Sequence, residues 1–350
     1  MSEFLSRRLT GLKPYVPGEQ PQERQYIKLN TNESPFPPSP LAMYMARRQL
    51  SELNLYSDPE CRLLTGAACE ALGVNEDEIV FGNGSDEILN FAFAAFCDTE
   101  TGAVFPDITY GFYRVFADFY GISRSVIPLN SVFEIDPEEY AEAGGTVFIA
   151  NPNAPTGIAL PLCDVERIVA SNPRNVVVVD EVYVDFGGQS ALPLIRKYSN
   201  LLVVRTFSKS RSLAGGRLGF GIACPSIISD LNKVRFSTNP YNVNRMTMAA
   251  GAGAFADTEY FEKCVAEIKK NRSFITEKLK KLGFYVTESS ANFVFARHET
   301  LSGGFVCSAL KERGILVRHF DGERIKDFNR ITVGSAAEME KLAMTLEEIL

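Results

Sequence analysis

Residues 175–180 read Asn-Val-Val-Val-Val-Asp, four consecutive valines that end on an acid. β-Branched residues without polar alternation make a strand that is buried on both faces. Such strands belong to parallel sheets covered by helices on each side. Short apolar runs at Ile79–Phe81, Ala103–Phe105, Arg124–Pro128, Thr146–Ala150 and Leu201–Arg205 alternate with helical patterns at Ser85–Phe96, Gly111–Tyr120 and Pro161–Ala170. This rhythm predicts an α/β fold with a mainly parallel central sheet between helices.

The two ends of the chain read differently. The first forty residues hold seven prolines and read as an extended arm, with one short strand at Tyr26–Leu29. Helices are expected over Pro40–Leu53 and Pro59–Leu72, the second stopped by Gly73. A long helical pattern covers Thr258–Leu282. Short strands follow at Phe284–Thr287, Asn292–Phe295, Ile315–Arg318 and Arg330–Val333, with helices at Gly303–Arg313 and Ser335–Leu350. The expected organisation is a large domain over 41–255, a smaller α+β domain over 256–350, and an arm over 1–40 that joins the small one.

Composition narrows the chemistry. The 350 residues carry a net charge of −7, which argues against nucleic acid as a partner. The two histidines, His298 and His319, are isolated, so no multi-histidine metal centre and no metal is expected. The seven cysteines include no CxxC pair and read as free thiols in a reducing compartment. The first eighteen residues show no apolar leader, and the longest apolar runs are too short to cross a membrane. The reading is a cytoplasmic protein without a membrane partner.

Ligands of open α/β sheets bind at the carboxyl ends of the strands. Those ends are polar here. Gly82-Asn-Gly-Ser-Asp-Glu87 fits either a plain helix cap or a phosphate cradle. It is not a dinucleotide fingerprint, because Glu87 stands where the third glycine would be. Lys209, in Thr206-Phe-Ser-Lys209, is either a surface charge or a Schiff-base former. Eight residues later Arg217 lies in a glycine-rich turn, and together with Thr206 and Ser208 it can bind a phosphate. Asp180 closes the valine strand. It needs a donor there, either an arginine or helix cap, or a protonated pyridine nitrogen. Tyr183 follows three residues on with a phenol.

Taken in order, these segments resemble the fold-type I pyridoxal-phosphate enzymes of the class I/II aminotransferases, and within them the histidinol-phosphate aminotransferase family. The resemblance covers nearly the whole chain. It rests on Leu12–Gly18, Leu29-Asn-Thr-Asn-Glu-Ser-Pro35, Tyr56–Pro59, Gly82–Glu87, Asn151–Gly157, Asp180–Tyr183, Thr206–Gly219 and Arg330–Gly334. It implies that Lys209 forms the aldimine with pyridoxal 5'-phosphate, that Asp180 keeps the pyridine nitrogen protonated, and that Tyr183 bonds the ring oxygen. Tyr110 would stack on the ring. Gly84, Ser85, Asp86, Asn153, Thr206, Ser208 and Arg217 would complete the cofactor site. Tyr56 would reach it from the second subunit of a homodimer. Tyr15, Asn32, Arg318 and Arg330 would bind substrate.

The implied reaction transfers the amino group of L-histidinol phosphate to 2-oxoglutarate in histidine biosynthesis. It gives imidazole-acetol phosphate and L-glutamate. An aromatic amino-acid aminotransferase, or a phosphothreonine decarboxylase on the same scaffold, are the alternatives. Two positions depart from the family pattern. Ala154 stands where an asparagine usually donates to the ring oxygen, which leaves Asn153, water or Tyr183 alone to do so. Gly215-Gly216 replaces a pair with one larger residue.

Overall fold

The computed structural model describes Ser2 and residues 4–350. An arm containing β1 (Ile27–Lys28) leads into α1 (Pro40–Arg47) and α2 (Arg62–Leu72). Next come β2 (Ile79–Gly82), α3 (Ser85–Phe96), β3 (Gly102–Pro106), α4 (Phe112–Tyr120), β4 (Arg124–Ile127), β5 (Gly145–Ala150) and α5 (Leu162–Ser171). Then β6 (Val177–Asp180), β7 (Leu201–Thr206) and β8 (Gly219–Ala223) precede α6 (Pro225–Thr238), α7 (Arg245–Ala256) and α8 (Thr258–Lys281). The chain closes with β9 (Phe284–Val286), β10 (Phe293–His298), α9 (Gly303–Glu312), β11 (Ile315–Leu316), β12 (Arg318–His319), β13 (Phe328–Thr332) and α10 (Ala336–Ile349).

Seven strands form one sheet in the order β2-β8-β7-β6-β5-β3-β4. The pairs from β4 through β7 are parallel. The valine strand β6 sits in the middle. Val177 and Val179 enter the core on one face and Val178 the core on the other, and all three are fully buried. The fold class is therefore α/β with a mainly parallel central sheet. A second, antiparallel sheet runs β12-β13-β10-β9, packed with α8 and α9, and α10 lies against those two helices.

The antiparallel strand β8 is absent from the sequence expectations because Gly-Phe-Gly-Ile-Ala carries no strand signal of its own. Its glycines serve the neighbouring helix. A Cβ on Gly219 would lie 2.2 Å from the backbone nitrogen of Ser85, so glycine lets the start of α3 press against the sheet.

Among the boundaries that differ from expectation, three stand out. Helix α1 ends at Arg47, and Leu50–Glu52 forms a separate 3-10 turn. Helix α2 starts at Arg62 because the Asp58 carboxylate accepts the N–H groups of Glu60 and Arg62, while Cys61 takes a left-handed conformation at φ 51°. The strand expected over Ile315–Arg318 splits in two, since its halves have different partners. β11 pairs with the arm (Ile27↔Ile315), and β12 pairs with β13.

The arm is thus tied at both ends. β1 joins β11 in parallel, and the Leu29 carbonyl accepts the N–H of Thr332 at 2.9 Å. Beyond it, α1 lies on the alanine- and glycine-rich face of α7, where a Cβ on Gly253 would meet the Ala42 backbone at 2.8 Å. Gly253→Ala should therefore lower the unfolding free energy by about 1–3 kcal/mol in a denaturant titration. Gly66→Ala, in open space on α2, should leave it unchanged or raise it by up to about 1 kcal/mol.

Candidate active site

The carboxyl ends of the parallel strands converge on one cavity of about 380 Å³. β6 delivers Asp180, with Tyr183 on the turn behind it. β7 delivers Thr206, Ser208 and Lys209. The segment after β3 brings Tyr110, and that after β5 brings Ala154. The start of α3 contributes Ser85 and Asp86, the turn before β8 contributes Arg217, and the arm lays Gln20, Thr31 and Glu33 along the wall.

Asp180 is buried at the dry end of β6. Its Oδ2 accepts the phenol O–H of Tyr113 at 3.0 Å, and its Oδ1 has no hydrogen-bond partner among the described residues. Burial pushes its carboxyl up to about 7; the Tyr113 bond opposes this and the Asp86 charge adds to it. Lys209 moves the other way. Burial, helped by the Arg330 charge, brings its amine down to about 8. The Lys209 Nζ donates to the Thr31 carbonyl at 3.2 Å and lies 5.9 Å from the centre of the Tyr183 ring. The Tyr183 phenol accepts a bond from Asn32 Nδ2 at 2.9 Å, and its ring stands edge-on to Phe293. Burial raises the Tyr183 hydroxyl above its ordinary range.

The opposite pole is built for an anion. The first N–H groups of α3, a helix of 12 residues, have no partner inside the helix and carry its positive dipole end. Thr206 Oγ1 and Ser208 Oγ lie 3.0 Å apart, and Arg217 Nη2 donates to Asp86 Oδ2 at 3.1 Å. Gly84 precedes the helix at φ +83°, and a Cβ there would lie 2.5 Å from the Arg217 guanidinium. Only glycine satisfies both demands. Asp86 also accepts the Tyr110 O–H at 2.6 Å, which holds that ring at the cavity wall.

A second cavity of about 500 Å³ shares Tyr110 and Ala154 with the first and also has Tyr15, Arg318, Phe320, Arg324 and Arg330 on its walls. Arg330 lies over the rings of Phe293 and Phe320. It gives one bond to the Asn30 carbonyl at 3.1 Å, and its Nε has no partner among the described residues. Arg318 donates to the carbonyls of Val16 and Pro17 and so holds the arm segment that carries Tyr15, whose ring stacks on Phe112 at 4.4 Å.

Two expected residues, Asn153 and Asn32, are placed otherwise. Asn153 faces away from the first cavity. Its amide nitrogen donates to the Ile108 carbonyl and Thr156 Oγ1, and its oxygen accepts from Thr109, so it has no donor left for a cavity ligand. Asn32 is 1% exposed and contacts Tyr183 rather than opening onto the substrate region. Tyr56 is 79% exposed, stacks on Tyr241 at 4.5 Å, and is not part of this chain's cavity wall. Tyr113 was missed by sequence reasoning. Its signal was the Tyr-x-x-Tyr spacing from Tyr110 at the start of α4, which turns both phenols toward acids.

An anion pole, a carboxylate oxygen awaiting a donor, a phenol and a depressed amine fit a phosphorylated pyridine aldehyde. The chain matches the model of the family described as aminotransferase class I and II over residues 24–346. It is 47% identical over 356 residues to the histidinol-phosphate aminotransferase of Aromatoleum aromaticum, with 100% of both chains covered. It is 42% identical over 351 residues to that of Clostridium acetobutylicum, again with 100% of both covered. In fold it is similar to the crystal structure of histidinol-phosphate aminotransferase from Sinorhizobium meliloti in complex with pyridoxal-5'-phosphate. That match has a TM-score of 0.89 and 24% identity over 100% of this chain and 99% of that one.

The depressed amine has a direct readout. Below its pKa Lys209 is protonated and inert; above it the free amine attacks aldehydes. Reductive methylation of the cofactor-free protein, followed by peptide mass spectrometry, should show Lys209 reacting with a midpoint at about 8, whereas ordinary surface lysines follow a midpoint of about 10.4.

Proposed function

The chain belongs to the class I and II aminotransferases, and from that membership we propose that it transfers the amino group of L-histidinol phosphate to 2-oxoglutarate with pyridoxal 5'-phosphate, giving imidazole-acetol phosphate and L-glutamate in histidine biosynthesis. One observation carries the reading. The unpartnered Asp180 Oδ1 and the depressed Lys209 amine share one cavity with an anion pole.

When bound, pyridoxal phosphate supplies an aldehyde that captures an amine and a ring that withdraws electrons from the amine-bearing carbon. The chain supplies the rest. Asp180 Oδ1 would accept the proton of the ring nitrogen, which replaces its missing partner. The Tyr183 hydroxyl would donate to the ring oxygen, and Tyr110 would cover the ring. Gly84, Ser85, Thr206, Ser208 and Arg217 would hold the phosphate, where Asp86 already orients the guanidinium. Lys209 Nζ then serves as the proton carrier. It would take a proton from the amine-bearing carbon and return it to the former aldehyde carbon on the far side of the same nitrogen, acting as a general base and then a general acid.

The substrates would enter through the second cavity. The open Nε of Arg330 suits a carboxylate of 2-oxoglutarate or the phosphate of histidinol phosphate. Tyr15 and Arg318 at the arm would bound the phosphate end. The working form would be a cytoplasmic homodimer in which Tyr56 reaches the partner's cavity, a reading supported by its exposure on the surface. Among the described residues no helix is long and apolar enough to cross a membrane.

The purified protein should show a visible absorption band with pyridoxal phosphate, and Lys209→Ala should abolish it. A protein that never takes up the cofactor overturns the reading. In a panel of histidinol phosphate, phenylalanine, tyrosine and phosphothreonine with 2-oxoglutarate, histidinol phosphate should be the preferred donor. Good turnover of an aromatic amino acid with none of histidinol phosphate rejects the substrate assignment. So does carbon dioxide release from phosphothreonine without a keto acid. Arg330→Ala should lower kcat/KM about 10- to 100-fold, the size of one or two charge-assisted hydrogen bonds.

A further inference from the structure

The arm borders the first cavity at Thr31 and Glu33, and Thr31 and Asn32 meet two reactive side chains there, Lys209 through the Thr31 carbonyl and Tyr183 through Asn32 Nδ2. Asn32 holds a backbone φ of 56°, which non-glycine residues seldom adopt. A closed set of bonds keeps it there. Its N–H donates to Thr332 Oγ1 at 2.9 Å, its carbonyl accepts from Asn292 Nδ2 at 3.0 Å, and Thr332 Oγ1 donates to its Oδ1 at 3.1 Å.

The direction of the last bond follows from proton counting. Thr332 Oγ1 already accepts the Asn32 N–H, and its own proton goes to Asn32 Oδ1. That leaves Asn32 Nδ2 facing Tyr183 at 2.9 Å. A phenol oxygen that accepts from Asn32 keeps its own proton to give. Among the described residues no protein group accepts that proton. The neighbouring wall residue Ala154 has no donor, and the amide of Asn153 is spent on Ile108 and Thr156.

We propose that Asn32 is a positioning residue that holds the Tyr183 phenol with its proton turned into the cavity, so that the arm and β13 together set the donation to an oxygen bound there. This deepens the reading above and rests on it, the oxygen being that of the cofactor ring. A donor at that oxygen loosens its hold on the proton of the adjoining Lys209 nitrogen. Loss of the donor keeps that proton on to higher pH.

The test is a pH titration of the visible absorption of the cofactor-loaded protein. Asn32→Ala should raise the spectral midpoint by about one pH unit, a tenfold change in proton affinity. Asn32→Asp should raise it further, because a carboxylate draws the phenol proton to itself. Ala154→Asn added to Asn32→Ala should bring the midpoint back by supplying an amide donor. Should Asn32→Ala fail to fold, Thr332→Val frees the amide with Asn32 in place and should raise the midpoint by a smaller amount. A residue that only braces the arm would change cofactor content or Tm without moving the midpoint. An unmoved midpoint in a loaded variant overturns the proposal, as does a lowered one in Asn32→Asp or a shift that Ala154→Asn leaves in place. A wild-type protein with no visible band is a different failure: it defeats the cofactor reading and takes this one with it.

Discussion

A carboxylate cannot rest at the dry end of a valine strand without something to donate to it. The end of β6 shows both answers side by side. Glu181 is fully satisfied by Arg205, Ser190 and the N–H of Ala191, and its side chain is wholly enclosed. Asp180, one residue earlier, is bonded by Tyr113, and its second oxygen has no side-chain donor among the described residues. The fold has the means to neutralise an acid here and uses them on only one of the two. An open buried acceptor costs about 1–3 kcal/mol, and a cationic ligand that fills it recovers that cost. The rest of the cavity is arranged around this deficit.

The other charges follow the same pattern of local departure from the whole. The chain is acidic overall, yet Arg217, Arg318, Arg324 and Arg330 line two adjoining cavities. Burial and the Arg330 charge hold the Lys209 amine down. One arginine therefore lowers the amine of the first cavity while it lines the second. A net charge describes what the surface repels at long range. It does not describe a pocket whose walls exclude water and where single guanidinium groups dominate.

Much of this was legible in the sequence because the strongest signals are backbone signals. Four valines in a row mark a buried strand, and Val177, Val178 and Val179 are fully buried. Gly82-Asn-Gly84 and Gly215-Gly216-Arg217 mark turns that the cavity needs, and β6, β7 and α3 lie within a residue or two of where periodicity put them. β8 was illegible because its glycines answer to α3 rather than to strand propensity. The start of α2 was misread because one acid, Asp58, competes with the helix for backbone donors. Side-chain direction was the harder part. Nothing in Asn-Pro-Asn-Ala-Pro says that Asn153 turns to Ile108, and nothing local says that Asn32 reaches Tyr183, because those contacts close only after segments some 45 and 151 residues apart have met.

The arm is fastened to β11, to the small sheet through Thr332 and to the large layer through α1 on α7, and between these anchors it touches Lys209 and Tyr183. A segment held in this way behaves as a strain gauge. Any displacement of one layer against the other must be taken up in the few residues around Thr31, where the reactive amine and phenol are bonded. The coupling runs in both directions, because a change of bonding at either group alters the free energy of the same displacement. A ligand that takes the Lys209 nitrogen from the Thr31 carbonyl would slacken one fastening of the arm while leaving the other, Asn32 on Tyr183, intact.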